Sequence, residues 1–168
     1  MRRQAGYTLI ELAVVILLIG LMLFLAAPRI RHTLLDDSLK STARHLTGLA
    51  KALRNEAVRE QVDYVLHLDL NNNAVWTYSA DMTPEKRSER QKGAFKLLPD
   101  VKIADVYRIG QEKKTDGDAT IIFFKRGYVQ PTVVHLAKGD RAFTLVFQPF
   151  LSAVELHDQY IDYGDMTP

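Results

Sequence analysis

"MRRQAGYTLIELAVVILLIGLMLFLAAPRI", residues 1–30, decides how the rest of the chain is to be understood. Two arginines and a glycine precede an apolar run, and Glu11 sits near the start of that run. From Leu12 to Ala27 no side chain is polar. As a helix, residues 7–27 extend roughly 31 Å at ~1.5 Å per residue, matching a hydrocarbon core of ~30 Å. An acidic residue at mid-bilayer costs on the order of 2.5–3.5 kcal/mol, and less toward the interface. Glu11 lies about one turn inside, so reaching toward the headgroups lowers the penalty without removing it. The next cation along the chain is Arg29, at the far end of the run.

Three ordinary readings of the run fit poorly. A soluble domain of this size does not need so continuous an apolar helix for its core. A secretory signal peptide has the right order of charge and apolar core. Its cleavage would fall after Ala27, yet Leu25 breaks the small-residue pattern and Pro28 would follow the scissile bond. A plain signal anchor accommodates the run but leaves Glu11 unexplained.

The residues "GYTLIEL", 6–12, resemble the processing site of type IV pilins and pseudopilins. The resemblance implies that a prepilin peptidase/N-methyltransferase cuts after Gly6 and methylates Tyr7 as the new terminus. Tyr7 stands where the family more often has phenylalanine. Glu11 is then the fifth residue, an anion matched to the cationic amine that cleavage creates. In an assembled filament the resemblance implies pairing of Glu11 with the amine of a neighbouring subunit. Within one chain the two groups are also four residues apart and could meet across a helical turn, so both pairings stay open. Such a pair penalises wrong register, because either charge left alone in lipid is costly. Arg2 and Arg3 favour a cytoplasmic N-terminus, nearly balanced by Arg29 and Arg31. The processing motif implies that the N-terminus is inside and the bulk of the chain periplasmic, anchored by a single pass through the bacterial inner membrane.

At 168 residues the chain suits one domain plus an appendage. A net charge of +2 is too near neutral to point to nucleic acid. Lys86-Arg87 and Lys113-Lys114 are diluted by nearby acids, so no nucleic-acid partner is expected. The absence of cysteine excludes a disulfide framework, a thiolate metal site and a cysteine nucleophile. The five histidines (His32, His45, His67, His135, His157) show no metal-ligand spacing. "TDGD", residues 115–118, lacks the further ligands of a calcium loop and reads as a tight turn. His135 and His157 read as ordinary strand residues. No catalytic residues, metal or cofactor are expected.

Beyond the run, Pro28 removes a backbone donor and predicts a kink rather than a stop. Leu35, Leu39, Ala43, Leu46, Ala50, Leu53 and Ala57 recur at helical spacing, with Arg44, Lys51, Arg54 and Arg59 between them, to about Glu60. The period then changes to two in "DYVLHLDL", a half-buried strand. Asn71 to Asn73 mark a turn and "AVWTY" a returning strand. Residues 79–93, polar and mixed in charge, read as a mobile loop. Strands are predicted at "VKIADVYRI", "ATIIFFK", "TVVHLA", "AFTLVFQ" and "AVELHD", making about seven, before an acidic, loosely held tail, "QYIDYGDMTP".

The fold class expected is α+β, a long N-terminal helix packed on a β-rich head of two antiparallel sheets. The parts are a cleaved leader, 1–6; a transmembrane half-helix, 7–28; an amphipathic half-helix, 29–61; and a periplasmic head, 62–168. The succession of a hairpin with Trp76, then "LLPDVKI", "IIFFKRG" and "FQPFLSAVEL", is similar to the H-type minor pseudopilins of type II secretion systems. Ser152 and Ala153 stand where that family often has a glycine. The resemblance implies a pseudopilus subunit that drives protein export. Its partners would be other major and minor pseudopilins and an inner-membrane assembly platform, with the secretin or an exported protein as further candidates. A minor pilin of a type IV pilus and a signal-anchored periplasmic protein remain as alternatives.

Overall fold

In the computed structural model the described residues are 9–151 and 153–162, with 23–37 described by their backbone alone. The contacts divide the chain into two compact units, residues 1–37 and 38–168. One helix, α1 (Leu9–Glu60), contributes to both. It ends where Gln61 turns left-handed at φ 56 and its side-chain amide donates to the Val58 carbonyl at 2.7 Å, covering one orphan acceptor of the last turn.

In the second unit the α1 stripe is buried as its spacing predicts. Leu39, Ala43, Leu46, Ala50, Leu53 and Ala57 alternate large and small, none more than 3% exposed. The alanines let sheet side chains come close while the leucines fill the gaps between them. Two sheets cover this stripe. The first contains β1 (Tyr64–Asp69), β2 (Ala74–Ser79), the two-residue β3 (Phe95–Lys96) and β5 (Asp118–Phe123), in the order β3-β2-β1-β5. The second contains β4 (Lys102–Tyr107), β6 (Thr132–Lys138), β7 (Arg141–Phe147) and β8 (Glu155–His157), in the order β4-β6-β7-β8. Every pairing is antiparallel. Leu66, Ile121 and Phe123 from one sheet and Leu136, Phe143 and Leu145 from the other join the helix in one core.

The asparagine turn does more than reverse the chain. Asp69 accepts the Asn72 backbone N–H at 2.9 Å and its side-chain amide at 2.7 Å. Asn73, left-handed at φ 49, accepts the Ile103 N–H at 2.8 Å, and Asn71 accepts that of Gly117 at 3.1 Å. The β1–β2 hairpin is thereby tied to the start of β4 and to the approach to β5.

Two expectations are corrected. Residues 79–93 are not simply a loop: Pro84–Lys92 form a helix, α2. Its signals are those of helix ends rather than of a buried face. Pro84 stands in the first turn, Glu85 near the N-terminus, Arg90 and Lys92 in the last turn, and Gly93 at the C-cap. None of its residues is buried, so no apolar period announces it. Arg87 fastens it, donating to the Met82 carbonyl at 2.8 Å and the Ala80 carbonyl at 2.6 Å, with its guanidinium 5.0 Å from the Tyr78 ring centroid. The tail expected to be loosely held is instead fixed through residues 159–162, where its backbone and Tyr160 bond to buried polar groups of the second sheet.

At the corner between α1 and β1 the Tyr64 phenol donates to the Glu60 carboxylate. That bond pushes the Tyr64 phenol up to about 12 and holds the Glu60 carboxyl below its usual range. A proton held more tightly folded than unfolded stabilises the fold below the ordinary phenol value of 10.0, and that contribution is lost between there and about 12. Ultraviolet titration of the full chain in detergent should show one tyrosine ionising last, and Glu60→Gln should bring it back among the others. Arg87→Ala should speed amide exchange across Pro84–Lys92 by about tenfold while leaving core amides protected, as for a locally opening element. Unchanged exchange in α2 would contradict its anchoring by Arg87.

Candidate functional site

Gly6 and Tyr7, expected to flank the processing site, lie outside the described residues. Glu11 stands in the first turn of α1. A carboxylate there meets the positive end of the helix dipole, a favourable local setting. Around it the helix presents apolar side chains: Leu9 is 88% exposed, Ile10 74% and Met22 73%. An apolar surface so continuous calls for lipid or another helix. Among the described residues no helix is long and apolar enough to cross a membrane. The apolar run continues past Met22 into positions whose side chains are not described, and the Pro28 side chain, with the kink expected there, is among them. The α1 backbone is helical on both sides of Pro28.

Histidines of α1 and of the head have structural partners. His45 stacks on Phe95 with centroids 4.2 Å apart. His67 stacks on Trp76 at 3.8 Å and meets Asp118 at 2.9 Å. Among the described residues no three His, Asp or Glu side chains converge to hold a metal ion.

His135 belongs to a polar row that crosses the outer face of the second sheet. Asp105, His135, Thr144 and His157 are register partners on β4, β6, β7 and β8. A bulge builds this row. Ile103 pairs with Leu136 and Asp105 with His135, so β4 spends one extra residue between them. Without the bulge, Ile103 and Asp105 would share a face; with it, Ile103 enters the core and Asp105 meets His135 outside. The His135 Nδ1 lies 2.6 Å from the Asp105 carboxylate, and Nε2 lies 3.0 Å from the Ile161 carbonyl. Thr144 donates to the Gln159 carbonyl at 2.7 Å and accepts the Ile161 N–H at 3.0 Å. Tyr160 stacks on His135 at 3.9 Å and donates to Asp105 at 3.1 Å, while Lys113 donates to the Tyr160 hydroxyl at 2.6 Å. Burial of that phenol pushes it above its ordinary range. The tail is thus a strap over an otherwise open sheet face. Its closure accounts for the burial of His135 and Thr144, which it touches directly.

Arg54, one of the polar positions between the α1 apolar residues, makes a second long-range tie. Its guanidinium donates to the carbonyls of Gly127 at 2.6 Å, Pro149 at 3.2 Å and Leu151. Gly127 is left-handed at φ 88, a conformation that glycine adopts without strain. The clamp fixes the backbone of residues 148–151 and leaves Phe150, 86% exposed, projecting from it. Neither role was visible in the sequence, because the carbonyls Arg54 reaches lie 73 to 97 residues away.

Residues 1–27 match the family described as the prokaryotic N-terminal methylation motif. The chain's architecture is similar to that of the minor pseudopilin EpsH of the Vibrio cholerae type 2 secretion system. The TM-score is 0.56 at 13% identity, over 74% of this chain and 99% of that one. A second structure of EpsH gives 0.55 at 12% identity, over 76% and 98%. The fold is pilin-like. A 78-residue stretch of this pilin-like chain is also 36% identical to type II secretion system protein H of Pseudomonas aeruginosa. That stretch covers 46% of this chain and 45% of that relative, a little under half of each.

In the pilin-like head the Asp105–His135 pair is the buried polar contact on which the strap depends. His135→Ala leaves the buried Asp105 side chain with Tyr160 as its remaining donor, a loss of about 1–3 kcal/mol. Denaturant unfolding of the full chain should show it, with faster amide exchange at Ile161. Replacing both, Asp105→Val with His135→Leu, should recover part of the stability but not the protection at Ile161. A single variant as stable as the parent would contradict the pairing.

Proposed function

We propose that the chain is a minor pseudopilin of a type II secretion system, a non-enzymatic subunit that assembles into a periplasmic pseudopilus serving protein export. The observation that carries this reading is a prepilin-type N-terminus, residues 1–27, on a chain with a minor-pseudopilin fold. The local 36% identity to a type II secretion protein H favours secretion over piliation.

In this reading the leader, residues 1–6, is removed after Gly6 by the prepilin peptidase, and Tyr7 is N-methylated. Residues 7–28 hold the chain in the inner membrane with the head, 62–168, in the periplasm. The apolar side chains exposed along α1 meet lipid before assembly and neighbouring helices after it. Glu11 meets the amine of an adjacent subunit and sets register, because a slipped subunit leaves both charges poorly solvated. Pro28 kinks the helix near the membrane exit. An assembly platform supplies the force, and the partners in the filament are other major and minor pseudopilins.

Intact-mass measurement and an export assay test this together. In cells with an active prepilin peptidase the chain should begin at methylated Tyr7. Deleting its gene should abolish export, and Glu11→Gln should restore less than about a tenth of it, in line with the several kcal/mol attached to an unmatched charge in lipid. A chain that keeps Met1, or a deletion that impairs piliation and leaves export intact, contradicts the proposal.

A further inference from the structure

The His135 ring sits between two acceptors. Its Nε2 lies 3.0 Å from the Ile161 carbonyl, which can only accept, so Nε2 carries a hydrogen. Its Nδ1 lies 2.6 Å from one oxygen of Asp105, whose other oxygen takes the Tyr160 hydroxyl at 3.1 Å. His135 is 1% exposed and Asp105 4%, so water does not stand in for a missing partner. With the Nε2 hydrogen committed to Ile161, the short contact between Nδ1 and Asp105 needs one further proton. That proton can ride on the ring or on the carboxyl, and it belongs to the pair. Without it, two lone pairs face each other at 2.6 Å.

A neutral ring beside an ionised Asp105 has one way to relieve that contact. It places its single hydrogen on Nδ1 and keeps the charge-assisted bond, the stronger of the two. Nε2 then turns a lone pair toward the Ile161 carbonyl, and the strap loses this tie. The other groups on the face do not replace the proton. On β4, Tyr107 follows Asp105 outward and Lys102 is exposed opposite Ala137. On β7, Thr144 is engaged by Gln159 and Ile161. On β8, His157 lies beyond Thr144 and 4.0 Å from Glu155. From the β4–β5 connection, Lys113 reaches the Tyr160 hydroxyl at 2.6 Å and Asp162 at 3.3 Å rather than the ring.

We propose that Asp105 and His135 form a proton-operated latch on the tail. Residues 159–162 lie closed on the second sheet while the pair shares a proton, and they open at Ile161 when that proton leaves. The sign follows from linkage: closure binds a proton that the open strap releases, so closure is favoured at lower pH and weakens as pH rises. The Tyr160 stack and the Thr144 bonds remain after the proton is lost, so the strap opens more often rather than detaching. Opening uncovers the polar row of His135 and Thr144 on the outer face of the sheet. The latch is a property of the head and stands apart from the pseudopilin reading.

The test uses the full chain in detergent, labelled with ¹⁵N, across about pH 5 to 9. Amide exchange at Ile161, corrected for the intrinsic pH dependence of exchange, is compared with that at Leu145 in the core, while ¹⁵N spectra follow the His135 ring. Protection at Ile161 should fall by about tenfold over the interval in which Nε2 loses its hydrogen, with Leu145 unchanged. Asp105→Asn separates a latch from a merely structural pair. An asparagine donates its amide to Nδ1 and accepts from Tyr160, so a neutral ring keeps its Nε2 hydrogen on Ile161. This variant should hold Ile161 protected across the whole interval. Protection that stays constant while the ring titrates overturns the proposal, and so does a ring that keeps its Nε2 hydrogen throughout. An asparagine variant that shows the parent's fall, or that is unprotected at Ile161 at every pH while Leu145 stays protected, overturns it as well. Should that variant fail to fold, the parent's own profile decides.

Discussion

A carboxylate at the head of an apolar helix must be compensated wherever that helix goes, and α1 is built around this constraint. In water Glu11 costs nothing, but the apolar side chains around it then remain exposed. In lipid those side chains are satisfied, and the carboxylate carries a penalty of several kcal/mol that snorkelling only reduces. The helix dipole offsets part of it, since Glu11 lies in the first turn. In the reading proposed above, processing after Gly6 places a cation four residues away. In that reading, the charge that makes the helix a poor simple anchor serves ordered assembly.

The second half of α1 answers to a different constraint. Its alternating leucines and alanines have to be covered on one side, and two four-stranded antiparallel sheets share that work. One sheet keeps much of its outer face toward solvent, with α2 lying against β2 through Arg87. The other is closed on its outer face by the tail. The head is therefore held by three kinds of contact: the apolar stripe of α1, the Arg54 clamp on residues 148–151, and the Asp105–His135–Tyr160 strap. Only the first is hydrophobic. The other two are polar contacts between residues far apart in sequence, and they fix segments that would otherwise move.

That division explains what was legible beforehand. The helix to Glu60 and the strands around Leu66, Trp76, Ile121, Leu136 and Leu145 carry their own periodicity, and the α+β architecture follows from them. The N-terminal methylation motif was equally plain, and residues 1–27 match it. The rest depends on partners that sequence does not place. Helix α2 buries nothing, so only its end signals, Pro84 and Gly93, could have revealed it. β3 spans two residues, Phe95–Lys96, too few for a period. The bulge beside Ala104 reverses the facing of Asp105 relative to Ile103, and a strict alternation misplaces it. The tail looked solvated because of its acids, while its hold comes from the Tyr160 ring and from the backbone of Gln159 and Ile161.

The central claim is a charge pair between subunits, and solid-state NMR on assembled filaments measures it directly. Filaments are grown from two batches of chain in equal parts, one with ¹⁵N at the Tyr7 amine and the other with ¹³C at the Glu11 carboxyl. The account predicts a dipolar coupling between the batches corresponding to an N···O approach of about 4 Å or less. Coupling found only when both labels are on the same chain, or in neither sample, would contradict it.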